Sequence, residues 1–311
     1  MTHQNRTVGR SAEGQTLAIR RNWTIFFKKA NCAQYTKSFC GILLLISLAQ
    51  PGTAQYYYKD LIVTAQTASQ WKLYKDNKVK AVTLSSFNAK SEPVEGFEGR
   101  QDMGDLTLIK TYTHTAATPE SWLFTWYSPT GWPTRTVDSS DTYRSVSEYK
   151  YDPQGRLLSI TNTSVETDNH LTAVEQHLWQ YDAKGKPTTM LKIRNTTDTT
   201  FVRFVQDEKG NIAEEHATRY KIDLPTVFYY YDTAGHLTDI VRYNKKAQRL
   251  LPDYVFEYEG DKLSTMLVVY QGTTDYQKWY YLYDDKGLKV NETVYNKQKE
   301  ILGHIEYNYK F

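Results

Sequence analysis

Glycines recur along this chain at positions 131, 155, 185, 210, 235, 260 and 287, with spacings of 24, 30, 25, 25, 25 and 27 residues. A fixed period near 25 marks a repeat array, and it constrains the fold more than any other feature. Most of these glycines close a related phrase: "YSPTG" (Tyr127–Gly131), "YDPQG" (Tyr151–Gly155), "YDAKG" (Tyr181–Gly185), "VQDEKG" (Val205–Gly210), "YDTAG" (Tyr231–Gly235) and "YDDKG" (Tyr283–Gly287). A degenerate copy, "FEYEGDKL", covers Phe256–Leu263.

The phrase has the composition of a type I turn closed by a left-handed glycine. Asp at the first position accepts backbone N–H groups two residues on, Pro suits the next place, and Gly takes the positive φ. Asp152, Asp182, Asp207, Asp232 and Asp284, with Gly155, Gly185, Gly210, Gly235 and Gly287, therefore read as structural corners rather than catalytic groups. Flanking segments such as "VSEYKY", "TVFYYY" and "KWYYLY" are aromatic and β-branched, as strands are. Polar clusters between repeats supply the opposite turns, so the chain reverses about every 12 residues into roughly 16–18 strands. The expected class is all-β: a long antiparallel up-and-down meander of hairpin repeats that forms a curled sheet or shell.

Strand residues two apart share a face, which lines up two aromatic columns. One holds Tyr127, Tyr151, Tyr181, Tyr231, Phe256 and Tyr283, with Gln206 in the fourth copy's place; the other holds Tyr149, Trp179, Phe204, Tyr229, Tyr254 and Tyr281. The favoured reading is a buried ladder whose phenol oxygens reach turn backbones. The functional alternative is a ligand platform for sugars on Tyr149, Tyr151, Trp179, Tyr181, Tyr229, Tyr231, Tyr281 and Tyr283.

The pattern aromatic-x-Tyr-Asp-x-x-Gly-Arg-Leu at Tyr149–Leu157, with similar runs at Tyr229–Leu237 and Tyr281–Leu288, resembles the YD repeats of the RHS family. The resemblance spans Trp126 to Phe311. It implies curling β shells and a link to cell-surface contact or carbohydrate binding. The chain departs from that family in having few repeats.

Residues 1–54 differ in kind. "CGILLLISLAQPGTA" (Cys40–Ala54), preceded by Lys28, Lys29 and Lys37, reads as a secretory leader. Its loss would leave 31 basic and 34 acidic residues and move the net charge from +3 to −3. A mature chain of that charge offers no clustered basic excess for nucleic acid. Both cysteines, Cys32 and Cys40, fall in the leader, so no disulfide or thiolate metal site is expected after it. The expected location is extracytoplasmic, with no integral membrane span once the leader is gone. The domain reading is a leader over 1–54, a divergent N-terminal β cap over 55–120 and the repeat sheet over 121–311. Within the cap, Gln70–Leu84 reads as a hairpin turning at "KDNK", and no helical period is sustained.

Chemistry-bearing motifs are sparse. The histidines are scattered without metal-ligand spacing; His170 and His177 flank one strand start and read as solvent-exposed. No nucleophile elbow, phosphate loop or dinucleotide fingerprint occurs, and no cofactor is expected. The functional expectation is a non-enzymatic exported protein that binds a glycan or a surface protein, or serves as a scaffold. An outer-membrane β-barrel is the first alternative: "ILGHIEYNYKF" alternates Ile305, Tyr307, Tyr309 and Phe311, but charges on the strands count against a lipid face. A glycoside hydrolase built on two rim carboxylates is the second.

Overall fold

The computed structural model describes residues 56–166, 171–244, 247–270 and 275–311. The leader expected over 1–54 and His170 lie outside the described residues. Among those described, the chain forms one helix, α1 (Lys59–Asp76), and nineteen strands. The first are β1 (Ala81–Asn88), β2 (Glu98–Asp102), β3 (Leu108–Thr115), β4 (Thr118–Tyr127), β5 (Pro133–Ser140) and β6 (Tyr143–Tyr151). Next come β7 (Leu157–Glu166), β8 (Thr172–Tyr181), β9 (Pro187–Arg194), β10 (Asp198–Gln206), β11 (Ile212–Arg219), β12 (Ile222–Asp223) and β13 (Val227–Tyr231). The last are β14 (Leu237–Asn244), β15 (Arg249–Glu259), β16 (Lys262–Val269), β17 (Tyr276–Tyr283), β18 (Lys289–Asn296) and β19 (Ile301–Lys310).

Successive strands pair antiparallel, as the meander requires, with one exception at β12 and β13. The expected open curl is corrected at the ends. β1 pairs with β19 from Ala81↔Lys310 to Asn88↔Gly303, and on its other side with β2. The sheet therefore has no free edge and closes into a barrel. β12 and β13 both pair with β11, at Thr218–Arg219 and Glu214–Glu215 respectively, and share one stave, so the wall has eighteen. Closure satisfies the backbone groups that an open 18-strand edge would leave as a template for aggregation. The wall runs without a break through residue 120, which lies inside β4.

The repeat corners lie on one rim. In the Asp152 corner, Asp152 Oδ1 accepts the amides of Gln154 and Arg156, both at 2.9 Å, and Gly155 N–H returns to the Asp152 carbonyl. Gly155 takes φ +79°, and the ladder shifts by one residue between Lys150 and Tyr151. This is the type I turn with a G1 bulge. Asp182, Asp207 and Asp284 each accept the same two amides, and Asp232 accepts that of His236.

The expected hairpin over residues 70–84 is also corrected. Gln70–Asp76 ends α1, and β1 begins only at Ala81. Leu, Ala, Gln and Lys along α1 favour a helix, and no Gly or Pro interrupts it. It escapes the periodicity rule because its buried face mixes Asp60 and Thr64 with Trp71 and Tyr74, while Ala65 is exposed.

The helix lies inside the ring of strands. Trp71 stacks near Tyr127 of β4 and donates Nε1–H to the Leu106 carbonyl, while Tyr74 bonds Gln101 of β2. At the other end Tyr56 packs edge-on against Tyr229 of β13 and Tyr254 of β15. Two apolar clusters form around it. One gathers Tyr57, Trp179, Met190, Phe204, Ile212, Tyr229 and Ile240 near the helix start; the other gathers Trp71, Tyr74, Val82, Met103, Leu288 and Ile305 near its end.

Candidate functional site

Inward-facing side chains divide the lumen into two tiers. The tier at the glycine-corner rim is aromatic. There the tyrosines before five of the corners, and Tyr309 on β19, donate their hydroxyls to backbone carbonyls one repeat back. Tyr151 bonds Pro133, Tyr181 bonds Leu157, Tyr231 bonds Ile212, Tyr258 bonds Leu237, Tyr283 bonds Leu263 and Tyr309 bonds Lys289, over 2.7–3.1 Å. Tyr258 stands where Phe256 was expected. The Gly260 corner closes more tightly, with Glu259 opposite Lys262, so its register moves by two residues.

The eight platform rings all belong to this inner face. Trp179, Tyr229 and Tyr281 are buried. Tyr149, Tyr151, Tyr181, Tyr231 and Tyr283 are half-buried, with four of the five hydroxyls bonded to carbonyls as above. Outward aromatic rings occur on other positions: Tyr112, Trp122, Phe124 and Trp126 form one contiguous set on β3 and β4, and Phe201, Tyr230 and Tyr280 are exposed on β10, β13 and β17.

The second tier, toward the opposite mouth, is polar. On β6 and β7, Asn162 Nδ2 donates to Ser145 and Ser147, and Ser164 donates to Asn162 Oδ1. On β8–β11 the inward positions carry Glu175, His177, Lys192, Arg194, Asp198, Thr200, Glu215 and Arg219, as the cross-strand register shows.

Where the two tiers meet, the start of α1 is fastened to the wall by charge. Tyr58, at the helix cap, offers no side-chain cap of its own. Instead Glu215 reaches in from β11, and its Oε2 accepts the amides of Tyr57 (2.8 Å) and Tyr58 (2.9 Å) and the Tyr229 hydroxyl (2.8 Å). Burial raises the Glu215 carboxyl to about 7, against those three donors, which favour its charged form.

Asp60, in the first helical turn, holds His177 Nδ1 at 2.6 Å, and Glu175 holds Nε2 at 3.1 Å. Glu175 also pairs with Lys192 at 2.8 Å. Burial alone would lower the His177 imidazole, but Asp60 and then Glu175 outweigh it and hold it up at about 9. Burial likewise pushes Glu175 up, yet His177 and Lys192 bring it down to about 2. The result is a relay of alternating charge, Asp60–His177–Glu175–Lys192, with both imidazole nitrogens occupied. His177 is therefore buried, which corrects the solvent-exposed expectation. The sequence carried one signal for it: Glu175, His177, Trp179 and Tyr181 alternate on one face of β8 and so had to share the ladder's burial.

Among the described residues, no group of three or more His, Cys, Asp and Glu is placed to hold a metal ion, and no helix is long and apolar enough to cross a membrane. The second statement does not bear on strands.

No family model and no curated protein matches the chain. Among solved structures, it is similar to a porin-like protein from Bacteroides uniformis at 7% identity and a TM-score of 0.37, over 75% of this chain and 96% of that one. A porin-like protein from Bacteroides vulgatus aligns at 12% identity and a TM-score of 0.26, over 75% of this chain and 98% of that one. Likenesses this low carry no functional argument; the closure of the barrel stands on the chain's own strand pairings.

Proposed function

We propose that this chain is an extracytoplasmic β-barrel protein that acts, without catalysis, as a one-mouthed vessel for a small polar ligand. The observation that carries the reading is the division of the lumen. One end is sealed by α1 and the aromatic clusters packed on it, and the other is lined by serine, asparagine and charged side chains. The helix is not a removable stopper. It is part of the core, with Trp71 and Tyr74 buried and its start bound by Glu215 and His177. A vessel reading also fits the relay. A glycosidase leaves room for water or sugar between its two carboxylates, whereas here His177 fills the gap between Asp60 and Glu175.

An integral outer-membrane barrel is the second reading. One observation favours it over an open contact sheet: the wall closes with an even number of antiparallel staves, as bacterial outer-membrane barrels do. The outer face pulls the other way. Arg100, Glu148, Arg203 and Glu306 are exposed within strands, and a basic residue at the lipid midplane costs ~2–4 kcal/mol, an acidic one less. Exposed apolar side chains also stand on that face, among them Leu178, Phe201, Tyr280 and Leu282, and these count for the membrane reading. The test is alkaline extraction of cell envelopes together with conductance in planar bilayers. The vessel reading expects release into the soluble fraction and no ion current. Retention in the membrane with stable current would replace it by the channel reading.

A further inference from the structure

We infer that the polar tier of the lumen binds a small soluble oxyanion, a carboxylate or phosphate compound, on a basic floor built by Lys59, Lys192, Arg194 and Arg219. The inference rests on the vessel reading and names the chemistry of what the vessel takes.

Lys59 opens α1, and its half-buried ammonium lies in the electrostatic reach of Asp60, Lys192, Glu175 and Glu215. Its chain neighbours fix the place: Glu215 accepts the Tyr58 amide, and Asp60 holds His177, which stands opposite Lys192 across β8 and β9. Among the described residues Lys59 makes no ion pair or side-chain hydrogen bond. Burial, and to a smaller extent Lys192, disfavours the charged form of Lys59, and a bound anion would favour it.

Arg194 stands opposite Glu175 on one side and Asp198 on the other, on the inward face of β9. It is exposed, and its guanidinium too makes no ion pair or side-chain hydrogen bond among the described residues. Arg219 grips Asp198 through both Nε and Nη2 and completes the wall. A planar guanidinium with free N–H groups suits the two oxygens of a carboxylate or phosphate. Nearby acids are already engaged: Glu175 by His177 and Lys192, Asp60 by His177, and Glu215 by the helix amides. The cations without such engagement, Lys59 and Arg194, are therefore the ones left to meet an incoming ligand. Entry is through the mouth away from the glycine corners, where Arg194 and Arg219 lie exposed.

The experiment is calorimetric titration of the intact mature chain with citrate, inorganic phosphate and, as a cationic control, choline, all at low ionic strength. Lys59→Met, Arg194→Gln and the control Lys72→Met, on the exposed helix face, are titrated in parallel. The expected result is saturable binding of citrate, phosphate or both, and none of choline; which anion binds more tightly separates the carboxylate from the phosphate source. Lys59→Met and Arg194→Gln should each weaken binding about tenfold, and Lys72→Met should leave it unchanged. The proposal is overturned if neither anion binds the folded chain, if Lys59→Met has no effect, or if Lys72→Met weakens binding equally. Ion current through the barrel would defeat the vessel reading alone, since it leaves the binding isotherm untouched.

Discussion

At the scale of single residues, the relay makes stability depend on pH with opposite signs in different windows. His177 sits at about 9 against an ordinary 6.5, so its contribution is complete below pH 6.5 and lost as pH rises through 9. The loss is on the order of 3 kcal/mol. Denaturant melts at pH 6.5 and 9.5 should show that slope in the wild type and a flatter one in His177→Gln. Glu175 behaves inversely. Held near 2 against 4.5, it contributes above pH 4.5 and stops contributing as pH falls toward 2. Glu215, raised to about 7, binds a proton in the fold that the open chain gives up above 4.5, so its ionisation costs stability as pH climbs from 4.5 through 7. Glu215→Gln should erase that slope, whereas Glu215→Ala leaves three buried donors unmet and should cost about 2–5 kcal/mol. The glycine corners are equally separable. Gly131 and Gly235 both hold positive φ, but a Cβ at Gly131 would fall inside the Trp71 ring, while at Gly235 it meets open space. Gly235→Ala should cost about 1 kcal/mol, and Gly131→Ala measurably more in the same thermal melts, because it also displaces the helix.

At the scale of elements, the corners and strands were legible and the helix was not. The hairpins could be read because each corner repeats a complete local code: an acid to take amides, a glycine for positive φ, and aromatic residues alternating on either side. Nothing beyond a dozen residues is needed to specify one. α1 has no such local signature. Its buried positions are Asp60, Thr64, Trp71 and Tyr74, and each bonds a different partner: His177, the helix's own carbonyls, the Leu106 carbonyl and Gln101. A polarity pattern cannot reveal a face whose partners, apart from those carbonyls, lie 27 to 117 residues away. The same holds for the charged floor. His177 read as solvent-exposed because its burial depends on Asp60, 117 residues earlier in the chain. If the helix is core, Trp71→Ala should cost about 3–5 kcal/mol, and Lys72→Ala, on its exposed side, within about 0.5 kcal/mol of zero.

At the scale of the whole molecule, the account depends on closure, and closure is what a repeat sequence does not encode. Twenty-five-residue units specify their neighbours, but the joining of first to last strand is made by β1, which lies outside the repeats, and by β19 at the far end of the chain. An enclosed lumen, a wall without edges and an inward ladder all follow from that one seam. Outward position Thr83 lies opposite Asn308 across it, and antiparallel partners stand about 4.5–5.5 Å apart at Cα, within disulfide reach. In a chain with Cys32 and Cys40 replaced by Ser, mild oxidation of a Thr83→Cys/Asn308→Cys variant tests the seam by mobility on a non-reducing gel. Closure predicts an intramolecular disulfide in nearly all of the folded protein. A folded chain that stays reduced under the same conditions would show an open sheet and contradict the barrel.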